Sequence, residues 1–306
     1  MVYVDNRDWP RYNEALVARG EIFLGLDAVE EWEQELKGMN RGKEGARFMF
    51  SDGFITLLTF IRLLFHLPYR QTEGFVTALS KHIEHLAAPD YSTLNKRVNK
   101  LKVPLPLEDM QPDDEPLTIA VDASGIKVAN SGDWIRRVWK KRKGYLKVHV
   151  AVDVKSKKIV SLKVTREKTG DNRMFKPLVK TVMKARRVRR VLADGAYDAR
   201  VNFNFLAQHG VDAVIRVRKS SVARSRGSMP RKLAVAEQLE SYPAWRLRHG
   251  YGFRWRAEGV FSVWKRVFGE YASAKKYWNM VKEMLLKASL YNLLTQITAN
   301  SLAGRP

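Results

Sequence analysis

The spacing of apolar positions changes character near residue 117. Upstream, from about residue 9 to 102, apolar residues recur at helical intervals, and no stretch alternates as a strand would. Residues 26–36 form an amphipathic stretch carrying Glu30, Glu31, Glu33 and Glu35, and residues 48–67 are apolar enough for a buried helix. Two shorter helical segments follow at about 70–82 and 91–101, separated by Ala87-Ala88-Pro89-Asp90. Asp90 or Ser92 is placed to cap the second of them. That second segment opens with Thr93, Leu94, Asn95, Lys96 and Arg97, so the pair fits a helix-turn-helix DNA reader over about 70–101, with Lys96 and Arg97 as candidate contacts. A small helical bundle with a solvated basic face fits the same pattern equally well. His82 and His85 stand one turn apart, but no carboxylate or cysteine matches their spacing, so they read as solvated histidines.

Residues 103–116 are rich in proline and acids and read as a linker. Beyond them the period becomes two. Strands are expected at 117–123, 145–153 and 158–165, the last two joined by a hairpin at Lys155-Ser156-Lys157. A helix over 175–187, introduced by Asp171-Asn172, leads to a short strand at 190–193 that ends in Asp194. A helix at 199–208 and a strand at 212–217 complete the run. Three strands, helix, strand, helix, strand is the order of an α/β ribonuclease-H-like core, a mixed sheet in which an antiparallel meander is followed by parallel strands. The chain therefore divides into an all-helical N-terminal domain at 1–102, the linker at 103–116, and a catalytic domain at 117–306. Within the last, residues 218–250 read as a basic loop or small insertion touching a phosphate backbone, and residues 251–268 and 277–302 as closing helices.

Charge narrows the partners. The 55 Lys and Arg against 32 Asp and Glu give a formal charge of +23, which favours polyanions, nucleic acid before anionic membrane. The most apolar run, 54–68, is interrupted by Arg62 and is shorter than the ~20 residues that span a bilayer, so no membrane association is expected. Acids at the start, where a signal peptide needs bases, point to a cytoplasmic, nucleoid-associated protein. Without cysteine there is no disulfide framework, no thiolate zinc site and no cysteine nucleophile, so a metal must be held by oxygen or histidine. Between the first two strands, Trp134, Arg136, Arg137, Trp139, Lys140, Lys141 and Arg142 interleave aromatic and basic residues as a nucleic-acid contact does, against the plainer reading of a solvated basic loop.

Two carboxylates then stand out. Asp122 ends the apolar run Leu117-Thr118-Ile119-Ala120-Val121, ahead of a turn expected at Gly125, and Asp194 ends the later strand. An aspartate is disfavoured inside a strand, so it forms a turn there or binds something. If the two strands are neighbours, both side chains reach one mouth of the sheet, and a divalent ion relieves their repulsion. A third acid comes from the helix expected at 251–268. At 100° per residue Tyr251, Arg254, Glu258 and Lys265 share an arc of about 60°, while Val260, Val263, Trp264, Val267 and Phe268 form a separate apolar face. An ordinary i,i+4 ion pair accounts for Arg254 and Glu258 but not for the aligned tyrosine and lysine.

The spacing Tyr251-x2-Arg254-x3-Glu258-x6-Lys265 resembles the Y-R-E-K signature of DDE-type insertion-sequence transposases, and VDAS at Asp122 and ADGAYD at Asp194 resemble that superfamily's first two acidic motifs. The chain is most similar to insertion-sequence family five. The resemblance implies a triad of Asp122, Asp194 and Glu258 that is both catalytic and metal-binding, with Mg2+ (or Mn2+) as cofactor. It also implies that Tyr251, Arg254 and Lys265 hold DNA phosphates. The implied function is metal-dependent cleavage of double-stranded DNA at terminal inverted repeats and strand transfer into target DNA, by a homodimer or higher multimer. Two other functions share the fold: a non-catalytic DNA-binding relic or repressor, and a structure-specific DNA nuclease. Intact acids speak against the first, and strand joining separates the enzyme from the second.

Overall fold

A computed structural model of the chain describes residues 8–21, 31–83, 86–103, 115–128, 144–224 and 226–303. The tryptophan-basic stretch at 134–142, His85 and nearly all of the proposed linker lie outside the described residues. The chain forms two compact units, residues 104–292 and residues 1–103 together with 293–306.

The described part of the smaller unit is helical, with helices Trp9–Glu21, Trp32–Asn40, Asp52–Leu64, Tyr69–Leu79 and Tyr91–Lys100. Its core gathers Phe54, Ile55 and Leu58 with Leu94 and Val98, all buried, and Trp32 packs on Phe54 with ring centroids 4.4 Å apart. Ser51 caps the most apolar of these helices by accepting from Phe54 N at 3.0 Å. Asp90 rather than Ser92 caps the last, accepting from the backbone N of Ser92 and Thr93.

The larger unit is built on a five-stranded sheet of order β3-β2-β1-β4-β5, with β1 Leu117–Lys127, β2 Tyr145–Asp153, β3 Ile159–Arg166, β4 Val188–Ala193 and β5 Asp212–Ile215. The β1–β2 and β2–β3 pairs are antiparallel; β1–β4 and β4–β5 are parallel. This is the ribonuclease-H-like order, and the near-continuous burial of β1 at Ile119, Ala120 and Val121 is what a central strand covered on both faces requires. Helices Asp171–Ala185 and Arg200–Gln208 carry the crossovers and pack Phe175, Leu178, Val179, Phe203 and Leu206 into one cluster with Ile119, Val121, Val191 and Ala193. The β2–β3 hairpin turns where the lysines and serine were placed, with Lys157 at a φ of 62°. The carboxamide of Asn292 completes the buried backbone of Ile159, accepting from its N at 2.7 Å and donating to its O at 2.9 Å.

Three expectations change. β1 does not end at residue 123, and Gly125 does not turn: the strand runs through Ser124 and Gly125 to Lys127, held throughout by β2. Residues 218–250 are not mainly loop. They hold two helices, Met229–Glu240 and Tyr242–Arg248, each opened by a serine cap, Ser228 to Arg231 N at 3.3 Å and Ser241 to Ala244 N at 3.3 Å, with a proline in the first turn. Residues 251–268 are not one helix either, because Tyr251–Arg254 is a 3-10 turn and the α-helix is Trp255–Phe268.

Candidate active site

The three acids reach the site by different routes. Parallel pairing of β1 with β4 stops at Val121↔Ala193, so Asp122 and Asp194 each follow the last paired position on neighbouring strands. Adjacent strands lie about 4.8 Å apart, which sets the two acids side by side. Asp122 loses its β4 neighbour there while keeping Val150 of β2 opposite it, so its side chain sits at a break in the sheet, 19% exposed. Its Oδ1 accepts from Ala123 N at 2.8 Å. Asp194 leaves β4 and caps the 3-10 turn Gly195–Tyr197, accepting from Ala196 N at 2.9 Å.

Glu258 lies in the first turn of helix Trp255–Phe268, whose buried face is Ala257, Val260, Phe261, Trp264 and Phe268. Val263 and Val267, assigned to that face from the sequence, are only half-buried. The glutamate is on the other side, 53% exposed, and is hydrogen-bonded and ion-paired to Arg254 Nη2. Arg254 Nη1 in turn lies 4.0 Å from Asp122 Oδ2. One guanidinium thus bridges the strand acid and the helix acid.

Electrostatics tie the three together. Burial pushes the Asp122 carboxyl up to about 6, against the pull of the Ala123 backbone bond and Arg254, and the charges of Asp194 and Glu258 push in the same direction as burial. Burial raises Tyr251 too, opposed by Arg254 and Arg216. Tyr251 is 6% exposed, its ring 5.0 Å from that of Trp245 and the Arg254 guanidinium 5.8 Å from its centroid. A 3-10 turn stacks residues i and i+3, so Tyr251 and Arg254 still share a side, but the helix Tyr242–Arg248 covers the ring. Lys265, two turns beyond Glu258, is half-buried.

Among the described residues no group of three or more acids and histidines is gathered tightly enough to hold a metal as the side chains stand. The donor set nevertheless fits a hard divalent cation. Asp122 and Asp194 offer oxygen after adjacent strand ends, and Glu258, tied by its ion pair to Arg254, offers a third carboxylate.

Of the remaining candidates, Lys96 is exposed, but Arg97 is turned inward. Its guanidinium donates to Phe50 O at 2.8 Å and to Asp52 Oδ1 at 2.7 Å, and lies 4.6 Å from the centre of the Phe48 ring. Arg97 thus ties two helices together, and Lys96 is the more exposed of the two candidate DNA contacts. His82 is exposed. The sequence reading missed Tyr197, whose buried hydroxyl has no hydrogen-bond partner among the described residues and whose ionisation is pushed up by burial and then by Asp122, Asp171 and Asp194. The signal was its place inside the ADGAYD motif.

A ribonuclease-H-like sheet with acids after neighbouring strand ends and a third acid on a following helix is an arrangement suited to phosphoryl transfer on nucleic acid. The family described as "Transposase DDE domain" matches residues 113–293, and a second family of the same description matches residues 17–131. The first match spans more than half of the chain, which therefore belongs to the DDE transposase family and is an enzyme that acts on DNA. Among solved structures it is similar to the piggyBac transposase in its synaptic complex with hairpin DNA, at 9% identity and a TM-score of 0.42, over 94% of this chain and 75% of that one. Among the described residues no helix is long and apolar enough to cross a membrane.

Proposed function

We propose that this transposase cuts double-stranded DNA at the terminal inverted repeats of its element and joins the freed ends to target DNA, with Asp122, Asp194 and Glu258 as the catalytic triad. The observation that carries the reading is the strand register: Val121 pairs with Ala193, which sets Asp122 beside Asp194, and Arg254 reaches from Asp122 to Glu258. Mg2+ or Mn2+ held by these acids would supply Lewis-acid activation of the attacking hydroxyl and stabilisation of the leaving oxygen. Arg254 and Lys265 hold phosphates near the scissile bond, a role that suits a guanidinium fork and a point charge. Tyr251 supports Arg254 from beneath. The spacing of Tyr251, Arg254, Glu258 and Lys265 supports reading this transposase as one of the Y-R-E-K group, in insertion-sequence family five.

The helical residues 1–102 form the second DNA-binding region, with Tyr91–Lys100 as the helix that meets DNA through Lys96, while Trp134, Arg136, Arg137, Trp139, Lys140, Lys141 and Arg142 add contacts between the first two strands. The catalytic domain begins at residue 117 after the linker at 103–116, and its insertion at 218–250 shapes the site beside Tyr251. Action on two element ends calls for a dimer or higher multimer, and a basic, DNA-bound enzyme would be associated with the nucleoid.

The test is metal-dependent cutting of a duplex carrying the element ends. Asp122→Ala, Asp194→Ala and Glu258→Ala should each abolish cutting and joining in Mg2+ and in Mn2+ while a gel shift with the same duplex persists. Parent-like cutting by all three variants would remove the triad assignment.

A further inference from the structure

Next to the second acidic motif, a cavity of about 330 Å3 is lined by Arg200, Arg218, Arg224, Arg226 and Arg231 around a single acid, Asp198. We propose that this cavity is a phosphate-binding subsite that seats one phosphodiester of the bound DNA strand; the proposal rests on the reading of Asp194 as a catalytic acid.

The acid is fully committed. Asp198 has no exposed side-chain surface, and its carboxylate accepts from Arg218 N at 3.0 Å, Ser221 Oγ at 3.1 Å, and Arg231 Nε and Nη2 at 2.6 and 2.9 Å. Burial alone would raise its proton affinity, but the Arg231 bond and the Arg218 backbone outweigh burial and hold it below the ordinary range. It is a charged, saturated floor that fixes Arg231 and the Arg218–Ser221 turn. The other four guanidiniums form no salt bridge among the described residues, and Arg200, Arg218, Arg224 and Arg226 are all exposed. Like charges around one hollow repel unless an anion sits among them. Arginine forks match the oxygens of a phosphate in planar, paired fashion.

Position names the anion. Asp198 closes the 3-10 turn Gly195–Tyr197 that Asp194 opens, and Arg218 Nε donates to Gly195 O at 3.4 Å. The cavity and the second acid are two sides of one short loop. A strand whose scissile phosphate lies at Asp194 carries its flanking phosphates past this wall. Guanidinium forks directed at backbone phosphate fix the register of a strand rather than read its sequence, and that is the role of the subsite.

The chain contains no cysteine, so Val222→Cys, at an exposed position on the cavity wall, gives the chain a unique thiol. An iron chelate tethered there and fired without added Mg2+ should cut an end-labelled duplex at one short cluster of positions; cuts no stronger than those from untethered chelate overturn the proposal. In a second arm, Arg224→Gln with Arg226→Gln should lower the slope of log affinity against log salt by about 1, as expected for one lost phosphate contact. Arg187→Gln with Arg189→Gln, an exposed pair elsewhere, should leave the slope nearly unchanged. Equal slope changes in the two pairs would show a general charge effect and overturn the subsite, as would protection of the thiol by inorganic phosphate without any DNA cut. A protein that cuts DNA in Mg2+ yet gives no chelate footprint sinks the subsite alone. One that gives the footprint and the slope change but never cuts sinks the catalytic assignment alone.

Discussion

Replacing Asp122 by asparagine should make the metal-free protein more stable at pH 8 and leave it unchanged at pH 4. The Asp122 carboxyl is pushed up to about 6 by burial, with Asp194 and Glu258 adding to the shift. An unfolded aspartate titrates near ~3.9. Below pH 4 the group is protonated in both folded and unfolded chains, and its environment costs nothing. Between about 4 and 6 the unfolded chain gives up its proton first, so stability falls as pH rises; above about 6 the whole cost is present. A shift of about 2 units at ~1.36 kcal/mol each is ~3 kcal/mol. The side chain is 19% exposed, so solvent screens only part of it.

Asparagine keeps the oxygen that accepts from Ala123 N and removes the charge. The stability difference between variant and parent should therefore grow from near zero at pH 4 to ~3 kcal/mol at pH 8, on the order of 6 to 12 °C in melting temperature for a unit of this size. Scanning calorimetry or urea titration in EDTA at four pH values measures it. Adding Mg2+ at pH 8 should stabilise the parent and not the variant, closing the gap. A gap that is flat across pH, or a variant less stable than the parent at pH 8, refutes the argument that Asp122 is an under-compensated charge.

Other expectations come from the same neighbourhood and from the sheet. Arg254→Ala removes the guanidinium between Asp122 and Glu258; Mn2+ binding followed by electron paramagnetic resonance should tighten by several-fold while cutting is lost, and unchanged Mn2+ affinity would mean that Arg254 does not compete for these acids. Asp198→Ala leaves Arg231 without its carboxylate, and urea unfolding should show a loss of about 3 to 5 kcal/mol. Asn292→Ala strips both partners from the buried backbone of Ile159, a loss of about 2 to 4 kcal/mol read by the same method, with a weaker loss pointing to water taking up the freed groups.

Much of this site could be read in the chain because its parts obey short-range rules. Strand periods and turn residues gave the sheet its order, and the wheel that set Glu258 apart found Val260, Trp264 and Phe268 of the buried face of helix Trp255–Phe268 but not Ala257 and Phe261. What escaped was set by tertiary contact. Nothing local tells that β1 continues past Asp122, because Ser124 and Gly125 look like a turn until β2 pairs with them. Nothing near Arg97 in the chain announces its partners Phe50 and Asp52, which come from more than 40 residues away. The helices at Met229–Glu240 and Tyr242–Arg248 did leave a local trace, a serine two residues before a proline at each start, hidden by a basic composition that resembles loop.

The break in pairing at Val121 and Ala193 is where these two kinds of information meet. A central strand needs apolar residues while both neighbours are present, and the sequence supplies them up to Val121. The first position without the β4 neighbour is where a carboxylate can be carried, half in the core and half out. Burial then gives Asp122 its raised proton affinity, and Arg254 is the base that works against it. An acid so placed repels a phosphate when ionised. Asp194 and Glu258 add to that repulsion, so productive DNA binding at this point of the sheet requires a cation to arrive with the strand or before it.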